Sequence, residues 1–358
     1  MGQGNDKNVV IGVDLGGTFT KAGLVDPEGR IRDPHRERTD APAGRDHVVQ
    51  GLFRSIDHLI ELAETTGLSV RGIGIAVTGQ VDPTTGTVIG GLKGKIPGWI
   101  GVPLKSLVQA RYDMPVVVEN DGKAAAVGEH RFGAAKGYSE AICLTIGTGV
   151  GGGLIIGGRL HRKWHGAAGE LGHVSIDYRG RRCDCGNRGC LELYVSAPRL
   201  IGDVMRAIRK GEPSVVTGLV RGELDRIDGE VLRQAADMGD DLVLKLLKEM
   251  AARLGAALSN LAVALGPQVI VIGGGIAEFG EMLLELARKE VLKRAFGVCA
   301  DGVKIVQAAL GEYSGAIGVA ALVFDELAVQ PESCGGGFVG CHRDAPSGSH
   351  SVVPTCGL

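Results

Sequence analysis

Two stretches of this chain, far apart in sequence, follow one pattern. The apolar run 9–13 reads as a short buried strand, ends at the tight turn Asp14-Leu-Gly-Gly-Thr18, and returns as a second strand over 20–25. The run 141–146 does the same: an apolar strand, then Gly147-Thr-Gly-Val-Gly-Gly-Gly153, then a strand over 154–156. Two such halves imply duplication of one unit. A third strand over 31–38 can pair with the first hairpin, and 72–77, 115–119, 268–272 and 303–306 read as further strands. Helices alternate with them. Over 47–66, Val48, Leu52, Ile56, Leu59, Ile60 and Ala63 recur at helical spacing, and Gly67 supplies the stop. Further helices are expected over 103–112, 120–132, 196–210, 240–265, 279–295 and 314–327. Strands alternating with helices indicate an α/β fold.

The chain has 358 residues, 44% hydrophobic and 22% charged, which suffices for two domains. We place a small α/β domain over 8–120, completed by the helix 314–327, and a large α/β domain over 121–313. A net charge of −2 without a basic block, and only 4% aromatic residues, argue against nucleic acid as a partner. No apolar run is long enough to span a bilayer, residues 1–8 lack the apolar core of a secretory leader, and Asp6 stands where myristoylation wants Ser or Thr. Three of the 8 cysteines are clustered, and Cys143, Cys299, Cys334, Cys341 and Cys356 are scattered, which fits reduced thiols and a cytoplasmic location. Residues 328–358 are dominated by Gly, Ser, Pro and Cys and are expected to be a disordered tail.

Three glycine clusters each follow a strand: Gly16-Gly17-Thr18, Gly147-Thr148-Gly149 with 151–153, and Gly273-Gly274-Gly275. One such turn needs no ligand. Three together point to backbone N–H groups that cradle phosphate oxygens. Asp14 beside the first turn is either a local turn residue or a carboxylate that supports Mg²⁺ on a nucleotide. Glu119-Asn120-Asp121 stands where a strand gives way to a helix. Asn or Asp there caps a helix, and a carboxylate at the carboxyl end of an α/β strand can also take a proton from an attacking hydroxyl. His173, Cys183, Cys185 and Cys190 fall within a short stretch and suit a tetrahedral Zn²⁺ site.

These motifs, in order, resemble the ROK family (repressors, open-reading-frame proteins, kinases) of the sugar kinase/Hsp70/actin superfamily. The resemblance rests on Asp14-Leu-Gly-Gly-Thr18, Pro97-Gly-Trp99, Glu119-Asn-Asp121 with Glu129, Gly147-Thr-Gly149, Gly166-Ala-Ala-Gly-Glu-Leu-Gly-His173, Cys183-x-Cys185-Gly-x-x-Gly-Cys190-Leu-Glu192 and Val269-Ile-Val-Ile-Gly-Gly-Gly275, and covers residues 8–327. It implies two ribonuclease-H-like (actin-like ATPase) domains around a central cleft, and ATP-dependent phosphorylation of a hexose at its 6-hydroxyl, glucose first. It implies that Asp121 is the general base, and that Gly79, Asn120, Glu170, His173 and Glu192 contact the sugar. Asp14, Gly16, Gly17, Thr18, Lys21, Gly147, Thr148, Gly149 and Gly273 to Gly275 would face ATP and its Mg²⁺. A homodimer or homotetramer is the implied assembly.

Two segments depart from the family pattern. Lys95 stands two residues before Pro97, where many family kinases carry Asn, and Thr78-Gly-Gln80-Val-Asp82 replaces a Pro-Gly-x-Val-Asp. Both bear on sugar identity. N-acetylmannosamine or N-acetylglucosamine kinase is the alternative enzyme. A sugar sensor is the alternative outside catalysis, and the repressor branch would need a helix-turn-helix before the first strand.

Overall fold

The computed structural model describes residues 7–91 and 95–329; the expected tail beyond Val329 lies outside the described residues. The chain begins with β1 (Asn8–Leu15), β2 (Phe19–Val25) and β3 (Ile31–Arg38), then α1 (Arg45–Thr66) and β4 (Ser69–Val77). A ribbon of β5 (Gln80–Val81) and β6 (Val88–Gly90), helix α2 (Leu104–Tyr112), β7 (Val116–Asn120) and α3 (Asp121–Arg131) follow. Next come β8 (Ala141–Ile146), β9 (Val150–Ile156) and β10 (Arg159–Leu160). The helices α4 (Glu192–Val195), α5 (Ala197–Arg209), α6 (Val216–Leu219), α7 (Gly229–Asp237) and α8 (Asp241–Leu265) precede β11 (Val269–Gly273). The last elements are α9 (Glu281–Arg294), α10 (Val298–Asp301), β12 (Lys304–Gln307) and α11 (Ser314–Val329).

The strands form two five-stranded sheets with orders β3-β2-β1-β4-β7 and β10-β9-β8-β11-β12. In each, the first hairpin is antiparallel and the later strands join parallel to its first strand. The two sheets therefore match strand for strand, and the repeated strand–turn–strand pattern marks the same corner of each.

Alternation along β1 buries both faces, as expected of a strand central to its sheet. Val9, Ile11 and Val13 pack with Leu52, Ile56 and Leu59 of α1, while Val10 meets Ile317, Ala320 and Val323 of α11. In the second sheet, Ile142, Leu144, Ile270 and Ile272 pack under α8 and α9 through Leu254, Leu258 and Leu283. Its other face, with Cys143, Ile155 and Val271, receives Ala126 of α3. So α3 and α11 lie between the sheets and cross each other. The crossing depends on Gly318, because a Cβ there would run into the carbonyl of Ala124.

One sequence expectation is corrected. The second glycine turn is shorter than expected, because β9 starts at Val150 and takes in Gly151 to Gly153. Gly151 and Gly153 face α3, where a Cβ on Gly153 would lie 2.5 Å from Cβ of Ala126, while Gly152 faces Leu171. Gly151 and Gly153 let the helix approach the sheet, and all three residues belong to the strand, not to the turn. The β5–β6 ribbon and α7 were not legible in the sequence, since a two-residue strand carries no period. Among the described residues, no helix is long and apolar enough to cross a membrane.

Candidate active site

The strand β7 ends at Asn120 and α3 starts at the next residue, so the change from strand to helix falls inside the motif Glu119-Asn120-Asp121. Asn120 is the cap: its Oδ1 accepts from the Lys123 N–H at 3.1 Å. Its Nδ2 donates to the carbonyl of Gly79 at 2.9 Å and to Asp121 Oδ1 at 3.0 Å. Gly79 follows β4 with φ 103°, so this one side chain ties the carboxyl ends of two parallel strands together.

Asp121 Oδ1 also accepts from the N–H of Gly122 at 2.8 Å, in the first turn of α3. Burial pushes the Asp121 carboxyl above the usual range and Glu170 adds to the rise, against the Gly122 N–H, Lys95 and Lys123. Asp14, at the end of β1, faces it from the first sheet. Burial, then the charge of Asp121, raise Asp14 to about 7, with Lys21 opposing. Two carboxylates that repel in a common space bind a proton or a cation more readily than either would alone. Asp14 also lies under the N-terminus of α11, where a Cβ on Gly315 would sit 2.7 Å from Asp14 Oδ2.

The segment 162–173 wraps over this motif. Arg162 Nε donates to the buried Glu119 Oε2 at 2.5 Å. Lys123, with a side chain only 1% exposed, donates through Nζ to the carbonyl of Gly166 at 2.5 Å and to Glu170 Oε1 at 3.4 Å. Lys163 and His165 both have φ 47°, a left-handed conformation that side chains resist. At the tip of the segment, His165 Nδ1 lies 3.2 Å from Asp82 Oδ2. The backbone N–H of Thr85 and then His165 hold the Asp82 carboxyl down to about 2.

His173 ends this segment and begins a second cluster. The ligating atoms of His173, Cys183, Cys185 and Cys190 lie within 4.8 Å of one another. Cys185 Sγ is 3.6 Å from Cys190 Sγ, and Cys183 Sγ is 3.8 Å from His173 Nδ1. Three thiols and one imidazole converging at these separations match the donor set of a tetrahedral zinc. Glu192 opens α4 beside them, with Oε1 3.5 Å from His173 Nδ1 and 3.4 Å from Cys183 Sγ. Its other oxygen would be 3.2 Å from a Cβ on Gly149. Glu192 therefore bridges the cluster and the second glycine turn.

That turn is tight: the Gly147 N–H bonds the Gly149 carbonyl at 2.9 Å, and the Gly147 carbonyl accepts from Ala197 at the start of α5. Thr148 is its middle residue. Gly273 closes β11 and Gly274, with φ 81°, packs against the backbone of Ile146, so the second and third glycine clusters lie side by side. The first turn, Gly16-Gly17-Thr18, is held by the bond from Thr39 Oγ1 to the Gly16 carbonyl at 2.8 Å and from the Thr39 N–H to the Thr18 carbonyl at 3.1 Å. Lys21 stands opposite Asp14 in the β1–β2 register and donates to the carbonyl of Glu312 at 3.1 Å.

Asn120, Asp121, Gly79, Glu170, His173, Glu192 and the zinc-type ligands thus form one continuous network. The charges of Glu170 and Asp14 are both coupled to that of Asp121. The sequence did not single out Lys123, Arg162 or His165. A lysine in an alanine-rich helix and an arginine in a loop look like solvated surface, and only the packing reveals that they are tied to this motif.

Comparison with known proteins gives a consistent picture. The family model described as "ROK family" matches residues 10–326. The glucokinase of Streptomyces coelicolor is 36% identical over 330 residues, which span 90% of this chain and 98% of the relative. A putative xylose repressor of a Caldicellulosiruptor species is 30% identical, over 91% of this chain and 81% of the relative. Among solved structures, the ROK glucokinase of Streptomyces griseus in complex with glucose and AMPPNP superposes with a TM-score of 0.80 at 36% identity, covering 88% of this chain and 99% of that one.

Proposed function

The chain belongs to the ROK family, and on that premise we propose that it is a hexose kinase that transfers the terminal phosphoryl group of ATP to the 6-hydroxyl of glucose. The observation that carries this reading is Asp121. It is a carboxylate at the start of a helix, raised by burial, and electrostatically coupled to Asp14 and to Glu170.

Phosphoryl transfer asks little covalent chemistry of the protein; it asks for position, neutralised charge and one base. Asp121 takes the proton of the 6-hydroxyl as that oxygen bonds the phosphorus and the bond to the ADP oxygen breaks. A raised carboxyl is the better base for a hydroxyl, and burial raises Asp121 although the Gly122 N–H, Lys95 and Lys123 oppose the rise. Asn120, Glu170, His173 and Glu192 offer converging donors and acceptors for the other hydroxyls, and Gly79 is held against them by Asn120.

On the other side, Gly16 to Thr18, Lys21, Gly147 to Gly149 and Gly273 to Gly275 would line the path of ATP. Asp14 would hold the Mg²⁺ that accompanies ATP, which supplies charge neutralisation at the phosphates. His173, Cys183, Cys185 and Cys190 would hold Zn²⁺, which supplies a rigid anchor for the loops bearing Glu170 and Glu192. His173 Nδ1 faces the thiols, and Nε2 would then serve the sugar. Residues 8–120 with α11 form the lobe bearing Asp14, and 121–313 the lobe bearing Asp121. Closure of the lobes would exclude water and direct the phosphoryl group to the sugar.

The test is ATP-dependent phosphorylation of glucose, mannose, fructose, allose, N-acetylglucosamine and N-acetylmannosamine, with Mg²⁺ and Zn²⁺ present. Glucose should turn over well above the others. Preference for an N-acetylated sugar would reassign the substrate, and hexose binding without any turnover would replace the kinase by a sensor.

A further inference from the structure

Lys123 is the largest fully buried side chain among the described residues. A buried ammonium needs strong partners to offset the loss of water. Its placement is also adverse, since it lies in the first turn of α3, where the helix dipole opposes a cation. Something other than helix stability accounts for it. The ammonium reaches the Gly166 carbonyl at 2.5 Å and Glu170 Oε1 at 3.4 Å, and a Cβ on Gly169 would touch its Cε at 3.5 Å. It thus meets the segment 162–170 at three points. Glu119, on the other side of Asn120 and Asp121, binds the start of the same segment through Arg162.

We propose that Lys123 is a positioning residue for sugar recognition: it fixes Glu170 and the strained backbone at Lys163 and His165 to the same helix turn that carries Asp121. This rests on the hexose kinase reading above. The sugar ligand on the loop and the base on the helix then keep one fixed separation, and an incoming hexose meets both already in place. Lys123 touches neither sugar nor phosphate and acts through Glu170.

The test compares wild type, Lys123→Met, Glu170→Gln and the double variant in the full-length protein, with kcat and KM measured separately for glucose and for ATP. An inactive wild type would remove the kinase reading before any variant is considered. With an active wild type, Lys123→Met should raise the glucose KM about tenfold or more, as expected for losing a charged hydrogen bond to a sugar ligand. The ATP KM should stay within about twofold. In the Glu170→Gln background, the same substitution should add little, because the two residues act as one unit. An unchanged glucose KM in folded Lys123→Met overturns the proposal, and so does an effect that multiplies in full with that of Glu170→Gln. A general loss of stability would raise neither KM selectively. Should Lys123→Met fail to fold, Lys123→Gln keeps a donor toward Gly166, removes the charge facing Glu170, and carries the same test.

Discussion

Replacing Asp121 by Asn leaves the hydrogen bond from Gly122 possible and removes the proposed base. Asp121→Asn should lower kcat by about 10²–10⁴-fold, with glucose affinity by calorimetry little changed; near-normal kcat would reassign the base. The pH profile follows from the same carboxyl. Its pKa is raised, so it takes up a proton at higher pH than an ordinary aspartate, and kcat/KM should fall on acidification with a limb above about pH 4. Asp14 gives a stability effect of opposite use. Raised to about 7, it binds its proton more tightly folded than unfolded. It therefore disfavours the folded, ligand-free protein increasingly from about pH 4 up to about 7. Asp14→Asn should raise stability to urea at neutral pH, by an amount that shrinks as the pH falls toward about 4, while abolishing turnover. A variant less stable than wild type at pH 7 would contradict the assigned environment.

At the scale of elements, the meeting of α3 and α11 depends on small residues. Gly318→Val drives a side chain into the carbonyl of Ala124, and overpacking of this kind should cost about 3 kcal/mol in chemical denaturation. Little change would mean that the helices can separate freely. The sequence was most legible at this scale. The strands β1, β4, β8 and β11 are unbroken apolar runs, α1 has a clear 3.6-residue period, and Asn120 and Asp121 stand where one pattern yields to the other. Gly151 to Gly153 misled because glycine in a turn and glycine under a helix look alike in one dimension. Lys123 was hidden for a related reason: its surroundings come from a loop more than forty residues away. The zinc-type cluster was legible because its ligands are local, Cys183 to Cys190, with His173 close by.

Across the whole molecule, the cluster of His173 and three cysteines joins the segment bearing Glu170 to α4 and the second glycine turn. Removal of metal by a chelator should therefore lower Tm and weaken glucose binding together, with ATP affinity little changed. Full activity in protein shown to be metal-free would sever that link. The pairing of the two sheets through α3 and α11 also bears on how the chain is made. The first sheet is specified by residues 8–120, yet the face of β1 bearing Val10 is covered by Ile317, Ala320 and Val323. During synthesis that face has no partner until the final helix leaves the ribosome. The first sheet is thus finished only after the second has been made, and the nascent chain must keep an apolar sheet face from its neighbours while residues 121–313 are synthesised.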